Sequence, residues 1–336
     1  MTVATPPQPL KPKDFASDQE VRWCPGCGDY AILKAIQKTL AEVDSRPENT
    51  VFISGIGCSS RFPYYLSTYG FHTIHGRAPA LATGLKLANP DLDIWVITGD
   101  GDGFSIGGNH MLHVLRRNVD LQIILFNNEI YGLTKGQVSP TSRIGTKSPS
   151  SPRGSIAHPL SPVAVALGAG SRFVGRAIDI DAKHLVPVLK AAHAHRGASF
   201  VEIFQNCVVY NDDIFADFTE RAHAPDTQLH VEHGKPLLYG ADRNRGIQIK
   251  PGTLELETVT VGENGITEND ILVHDETNKT LAGLLGAMTV PDFPVALGVL
   301  YNHPDVTYDA QVATLGTTSD RSLNELIRAG RTWTVG

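Results

Sequence analysis

Two sets of residues have the types and the spacing that chemistry requires. The first is built from oxygen donors: Asp100 stands between Gly99 and Gly101 in a GDGDG run, and Asn127 and Asn128 follow, with Asn128 28 residues beyond Asp100. That separation is one strand-helix-strand unit, which brings the ends of two parallel strands close together. Mg2+ prefers an octahedron of oxygens, typically one or two protein groups together with phosphates. The Asp100 carboxylate, the Asn128 side-chain oxygen and a backbone carbonyl near Ile130 would fill three positions, and a diphosphate two more. The glycines beside Asp100 let backbone N–H groups approach phosphate oxygens without a clashing Cβ. Taken alone, the run is a plain turn and the asparagine a strand cap; at this spacing the site is the better reading. Asp100, rather than Asp102, is the expected ligand.

The second set is the cysteines. Cys24 and Cys27 form a CxxC within WCPGCGDY, Cys58 follows the next apolar run, and Cys207 lies far downstream, which accounts for all four. So few and so dispersed, they make no disulfide scaffold. A zinc ribbon pairs two CxxC knuckles, whereas here one pair joins two singletons. Four thiolates are what a 4Fe-4S cluster requires. A redox CxxC and a buried Cys207 acting as a small hydrophobe are the bland alternatives, and they leave the positions of Cys58 and Cys207 unaccounted for.

These residues need elements to position them. Apolar runs at 51–56, 94–98, 122–126 and 200–204 read as buried parallel strands, and helical spacing marks 30–43, 78–88, 110–117 and 184–194. Alternation of this kind predicts an α/β fold, a mostly parallel sheet with helices on both faces. Ligands of such sheets bind beyond the carboxyl ends of the strands, where Cys58, Asp100, Asn128 and Cys207 all fall. Residues 141–159 are rich in Ser, Pro, Gly and Thr and predict a long surface loop of the kind that serves as a lid. The reading divides the chain into a flexible N-terminal arm (1–19), a binding domain (20–225) and a C-terminal extension (226–336). The extension has short extended runs at 254–261 and 271–274 and an apolar helix at 281–288, without evident chemistry.

The bulk properties narrow the class. A net charge of −6 without a long basic run excludes the footprint of a nucleic-acid binder. No apolar run approaches the roughly 20 residues of a membrane span, and the N-terminus lacks the apolar core of a secretory signal. A cytoplasmic protein is expected.

The GDG run followed by NN resembles the thiamine-diphosphate motif. WCPGCGDY, GIGCSSRFP, HGRAPALATGLKLANP, GDGDGFSIGGNH and FNNEIYGLTKGQVSPTS, in this order across 20–215, resemble the β subunit of 2-oxoacid:ferredoxin oxidoreductases, and most of all its 2-oxoglutarate branch. The resemblance implies a thiamine-diphosphate-binding fold with thiamine diphosphate, Mg2+ and a 4Fe-4S cluster. Cys24, Cys27, Cys58 and Cys207 become the cluster ligands, and Asp100, Asn128 and the Ile130 carbonyl the Mg2+ ligands. The implied reaction is oxidative decarboxylation of 2-oxoglutarate with coenzyme A to succinyl-CoA and CO2, with electrons passing through the cluster to ferredoxin. It also implies an α subunit, in an αβ or α2β2 assembly, that supplies the catalytic glutamate, so that this chain alone is inactive.

Weaker assignments complete the site. Arg61 is expected to pair with a substrate carboxylate, which favours a dicarboxylate, or else to be a surface or interface arginine. His75 is expected at the diphosphate or beside the thiazolium, or else is structural. Gly57, Ser59, Gly132, Leu133 and Thr134 are expected cofactor neighbours. Three rivals stay open: the same chemistry on pyruvate or another 2-oxoacid, a non-redox thiamine enzyme with structural zinc, and a non-catalytic subunit that keeps the fold.

Overall fold

The computed structural model describes residues 9–315, 321–330 and 333. Residues 1–8 of the expected arm, and 316–320, 331–332 and 334–336 of the expected extension, lie outside the described residues. The strands in chain order are β1 (Thr50–Ser54), β2 (Tyr69–His72), β3 (Asp93–Gly99), β4 (Leu121–Asn127), β5 (Ile130–Tyr131), β6 (Gln137–Val138), β7 (Phe173–Ile178), β8 (Ala198–Phe204), β9 (Gln228–Val231), β10 (Leu238–Tyr239), β11 (Arg245–Ile249), β12 (Leu256–Thr260) and β13 (Val295–Asn302). Eight of them make one sheet in the order β2-β1-β3-β4-β8-β7-β13-β9. Pairing is parallel from β2 through β7, and β13 runs antiparallel to β7.

Because side chains alternate along a strand, the sheet has two apolar faces. Ile94 and Val96 of β3 and Ile123 and Leu125 of β4 face one side, where α2 (Ala78–Ala88), α3 (Gly108–Arg117) and α4 (Pro162–Gly168) pack on them. Trp95, Ile97, Ile124 and Phe126 face the other, covered by α1 (Asp29–Glu42) through Ile32, Ile36 and Leu40 and by α5 (Ala182–Ala194) through Leu185 and Leu189. Covering helices on both faces are what continuous apolar strands demand. The Asp181 carboxylate starts α5 by accepting the Lys183 and His184 N–H groups.

Four features depart from the expectations. The run at 51–56 leaves the sheet at Ser54 because the Ile56 N–H turns to the Asp102 carboxylate, 2.9 Å away. β7 is absent from the sequence reading because Gly175 and Arg176 interrupt its apolar pattern; Arg176 is nonetheless buried, its Nε 2.9 Å from Glu202 of β8. The segment read as an extension contributes β9 and β13 to the main sheet, so its apolar run 295–301 is core. The described part of the arm is anchored, with Phe15 fully buried and Ser17 and Ser67 bonded across to the Tyr65 and Phe15 carbonyls. The loop 141–159 carries no helix or strand, as expected. Among the described residues no helix is long and apolar enough to cross a membrane.

Two predictions follow from charges in this core. Arg176→Met leaves the buried Glu202 without its cation and is expected to cost about 3–5 kcal/mol in denaturant unfolding; an unchanged midpoint would show the pair to be dispensable. His184 on α5 meets His230 of β9 edge to face at 4.5 Å, and burial pushes its pKa down to about 4. A folded-state value below the unfolded 6.5 means that the unfolded chain binds the proton first. The wild type should therefore lose stability relative to His184→Gln as pH falls from 6.5 toward 4, read as the difference between their denaturation midpoints.

Candidate active site

β1, β3, β4 and β8 are consecutive neighbours, and their carboxyl ends lie level: Gly99 registers with Phe126, and Asn127 with Phe204. The segments that follow them therefore share one edge of the sheet. They line a cleft of about 100 Å³. Gly57, Cys58, Ser59, His75, Gly99, Asp100, Gly101, Asn128, Ile130, Gly132, Leu133 and Thr134 all line it.

Asp100 is almost fully buried at the cleft floor. Its Oδ2 accepts the hydroxyls of Ser139 and Thr141 at 2.5 and 2.6 Å, and Thr141 also donates to Asn127 Oδ1 at 2.9 Å. Burial raises the carboxyl to about 6 against the opposing pull of those hydroxyls, so a neighbouring cation would favour its charged form. Asn127 is bonded away from the cleft, through Nδ2 to Glu202. Asn128 lines the cleft, its Oδ1 accepting the Ile130 N–H at 3.2 Å and its Nδ2 donating to Gln205. Between them and Ile130, Glu129 adopts a left-handed φ of 56°, which bends the chain out of β4. Arg143 pairs with its carboxylate.

Asp102 has a different task. Its Oδ1 accepts His75 Nδ1 at 2.6 Å, Gly76 N–H at 2.7 Å and Ile56 N–H at 2.9 Å, and its Oδ2 accepts Thr98 Oγ1 at 2.7 Å. A carboxylate so fully engaged ties the His75 and Gly57 segments to β3. It also sets the His75 tautomer, with the proton on Nδ1 and Nε2 available to a ligand. Tyr131 closes the floor by donating to the Gly101 carbonyl at 3.0 Å. A Cβ on Gly101 would lie 2.3 to 2.8 Å from the Tyr131 ring, so only glycine fits there.

A second cavity, of about 230 Å³, adjoins the cleft and is lined by Cys24, Cys27, Cys58 and Cys207. The two share Cys58, Asn128, Gly132 and Leu133 as a common wall. Gly132 is a hydrogen atom where any other residue would place a Cβ 3.4 Å from Cys207 Sγ and 3.7 Å from Cys58 Sγ. Burial raises the Cys58 thiol to about 12 and, with the Asp29 carboxylate beside it, lifts the Cys27 thiol well above the ordinary range. All four cysteines are free. Among the described residues, no group of three or more His, Cys, Asp or Glu is placed to hold a metal ion.

Arg61 lines the cysteine cavity and not the cleft, where it donates to the Arg22 carbonyl. Sequence reasoning missed Ser139 and Thr141, the Asp102 anchor of His75, and the buried Asp29 at the cleft wall. Burial raises Asp29 to about 7. None of these carries a motif of its own. The one available signal was that GDGDG offers two aspartates of which only one is needed for a metal.

Fold and site define a thiamine-dependent enzyme domain: residues 55–203 match the thiamine pyrophosphate enzyme C-terminal TPP binding domain. The 2-oxoglutarate oxidoreductase subunit KorB of Mycobacterium tuberculosis is 50% identical over 99% of this chain and 91% of its own. The 2-oxoglutarate synthase subunit KorB of Methanocaldococcus jannaschii is 43% identical over 56% of this chain and 70% of its own. A solved structure of 2-oxoglutarate:ferredoxin oxidoreductase from Magnetococcus marinus, with 2-oxoglutarate, coenzyme A and succinyl-CoA bound, superposes with a TM-score of 0.75 at 33% identity. It covers 96% of this chain and 97% of that one. The chain belongs to the β subunits of the 2-oxoacid:ferredoxin oxidoreductases.

Gly101→Ala drives a methyl into Tyr131, and overpacking of this kind costs about 1–3 kcal/mol. Thiamine diphosphate binding is expected to weaken by roughly 10-fold or more, measurable by calorimetric titration of the cofactor-free protein; wild-type affinity would show that the Gly101–Tyr131 contact does not shape the site.

Proposed function

We propose that this chain is the cofactor-bearing subunit of a 2-oxoglutarate:ferredoxin oxidoreductase, forming succinyl-CoA and CO2 from 2-oxoglutarate and coenzyme A. One observation carries the reading: the cleft that holds Asp100 and Asn128 and the cavity that holds the four cysteines share a wall. A group bound in the cleft that generates electrons would then lie beside a group in the cysteine cavity that could accept them. When bound, thiamine diphosphate supplies a carbanion for the 2-oxoacid carbonyl and a 4Fe-4S cluster accepts the electrons singly.

The residues divide that work. Asp100, Asn128 and the Ile130 carbonyl would hold Mg2+, and the N–H groups at Gly99 and Gly101 would meet the diphosphate. Ser139 and Thr141 orient the Asp100 carboxylate from behind. His75, its Nδ1 anchored by Asp102, would offer Nε2 to the cofactor. Cys24, Cys27, Cys58 and Cys207, which line one cavity, would hold the cluster, since four thiolates are what a 4Fe-4S cluster requires. Arg61, on the cysteine side, fits a role at the rim of that cavity better than a substrate carboxylate clamp. Free cysteines suit a reducing compartment, and the reading places the protein in the cytoplasm. An α subunit completes the active site, and ferredoxin is the electron acceptor.

The test is anaerobic purification of the chain co-expressed with its α partner, followed by counts of iron, sulfide, zinc and thiamine and assays with 2-oxoglutarate and pyruvate. About four irons per chain, as four thiolate ligands require, bound thiamine diphosphate, and turnover of 2-oxoglutarate over pyruvate are expected. Zinc without iron would move the reading to a non-redox thiamine enzyme. Cys207→Ser should lose the iron, and Asp100→Ala should lose Mg2+-dependent cofactor binding while keeping the iron.

A further inference from the structure

Gln205, the residue that follows β8, touches both halves of the site. It is 1% exposed and lines the cysteine cavity. Its backbone N–H is bonded to the Asn127 carbonyl at 2.9 Å, which holds it level with the end of β4. On one side its Oε1 accepts Asn128 Nδ2 at 2.8 Å; on the other its Nε2 donates to Cys27 Sγ at 3.3 Å and to the Asn206 carbonyl at 2.6 Å. The orientation of the amide is not arbitrary. Turned over, it would set an oxygen against the Asn206 carbonyl and an N–H₂ against that of Asn128, losing both strong bonds.

We propose that Gln205 is a positioning residue that ties the amide of Asn128 to the thiol of Cys27, and so couples the metal-binding side of the site to the cluster side. The inference rests on the function proposed above. Holding Asn128 by Nδ2 fixes the turn of its amide, whose Oδ1 accepts the Ile130 N–H, and outer partners orient a metal ligand in this way. An N–H directed at a ligand sulfur stabilises the more negative, reduced form of a cluster, and hydrogen bonds to the sulfurs are among the determinants of its potential. A purely structural glutamine would affect neither property.

The experiment uses the anaerobically purified complex with its α partner and the Gln205→Met variant, which keeps the side chain's length and removes its polar atoms. Two quantities are read beside the iron count: the cluster midpoint potential, by redox titration followed by electron paramagnetic resonance, and the Mg2+ affinity for thiamine diphosphate binding. A more negative potential is expected, with Mg2+ affinity weaker by about 10- to 100-fold and the iron count unchanged. A wild-type potential or a wild-type Mg2+ affinity in a fully loaded variant overturns the coupling. Iron-free wild type would instead remove the function on which the inference rests. Should the Met variant fail to assemble, Gln205→Glu keeps an acceptor for Asn128 while taking the N–H from Cys27. It should retain Mg2+ affinity and lower the potential, and an unchanged potential there overturns the inference equally.

Discussion

A chain of buried polar groups runs from the middle of the sheet to the cleft, and the site depends on it. Arg176 of β7 pairs with Glu202 of β8, Glu202 accepts from Asn127 of β4, and Thr141 links Asn127 to Asp100 beyond β3. Charges taken from water must be paired and hydrogen-bonded to be tolerated, so each member requires the next. The result is that three neighbouring strands and the start of the long loop are held in register by side chains as well as by backbone. The carboxylate at the end of the chain is placed with little freedom.

The opposite side of the cleft is organised by Asp102. One carboxylate gathers donors from the segments after β1 and β2 and from β3 itself. The two aspartates of GDGDG thus divide the labour between them: Asp102 braces the walls, and Asp100 ends the buried polar chain at the cleft. A glycine is as necessary here as the acids. Gly101 must admit the Tyr131 ring, where any Cβ would collide with it.

Much of this was legible in the residues. The four apolar runs form strands of one sheet, and the level ends of β1, β3, β4 and β8 bring Cys58, Asp100, Asn128 and Cys207 to the same edge. The expectation worked because a parallel strand buried on both faces has an apolar pattern that few other structures produce. It failed for β7, where a paired arginine looks like a surface residue until its partner is known. It also missed β13, whose apolar run lies in the segment set apart as an extension, although its pairing with β7 makes it part of the same sheet.

What the sequence by itself determined were the donor types, their spacing and the strands that carry them, because all three are local properties of the chain. The family could be read from the same motifs. Tertiary structure alone decided that Asp102 anchors His75, where Arg61 lies, and that Gln205 joins Asn128 to Cys27. Those outcomes depend on which atoms from distant segments arrive at each carboxylate, amide and thiol. Nothing in the local pattern records that, since hydrogen bonds of this kind are made only when the sheet has brought residues many positions apart to within about 3 Å.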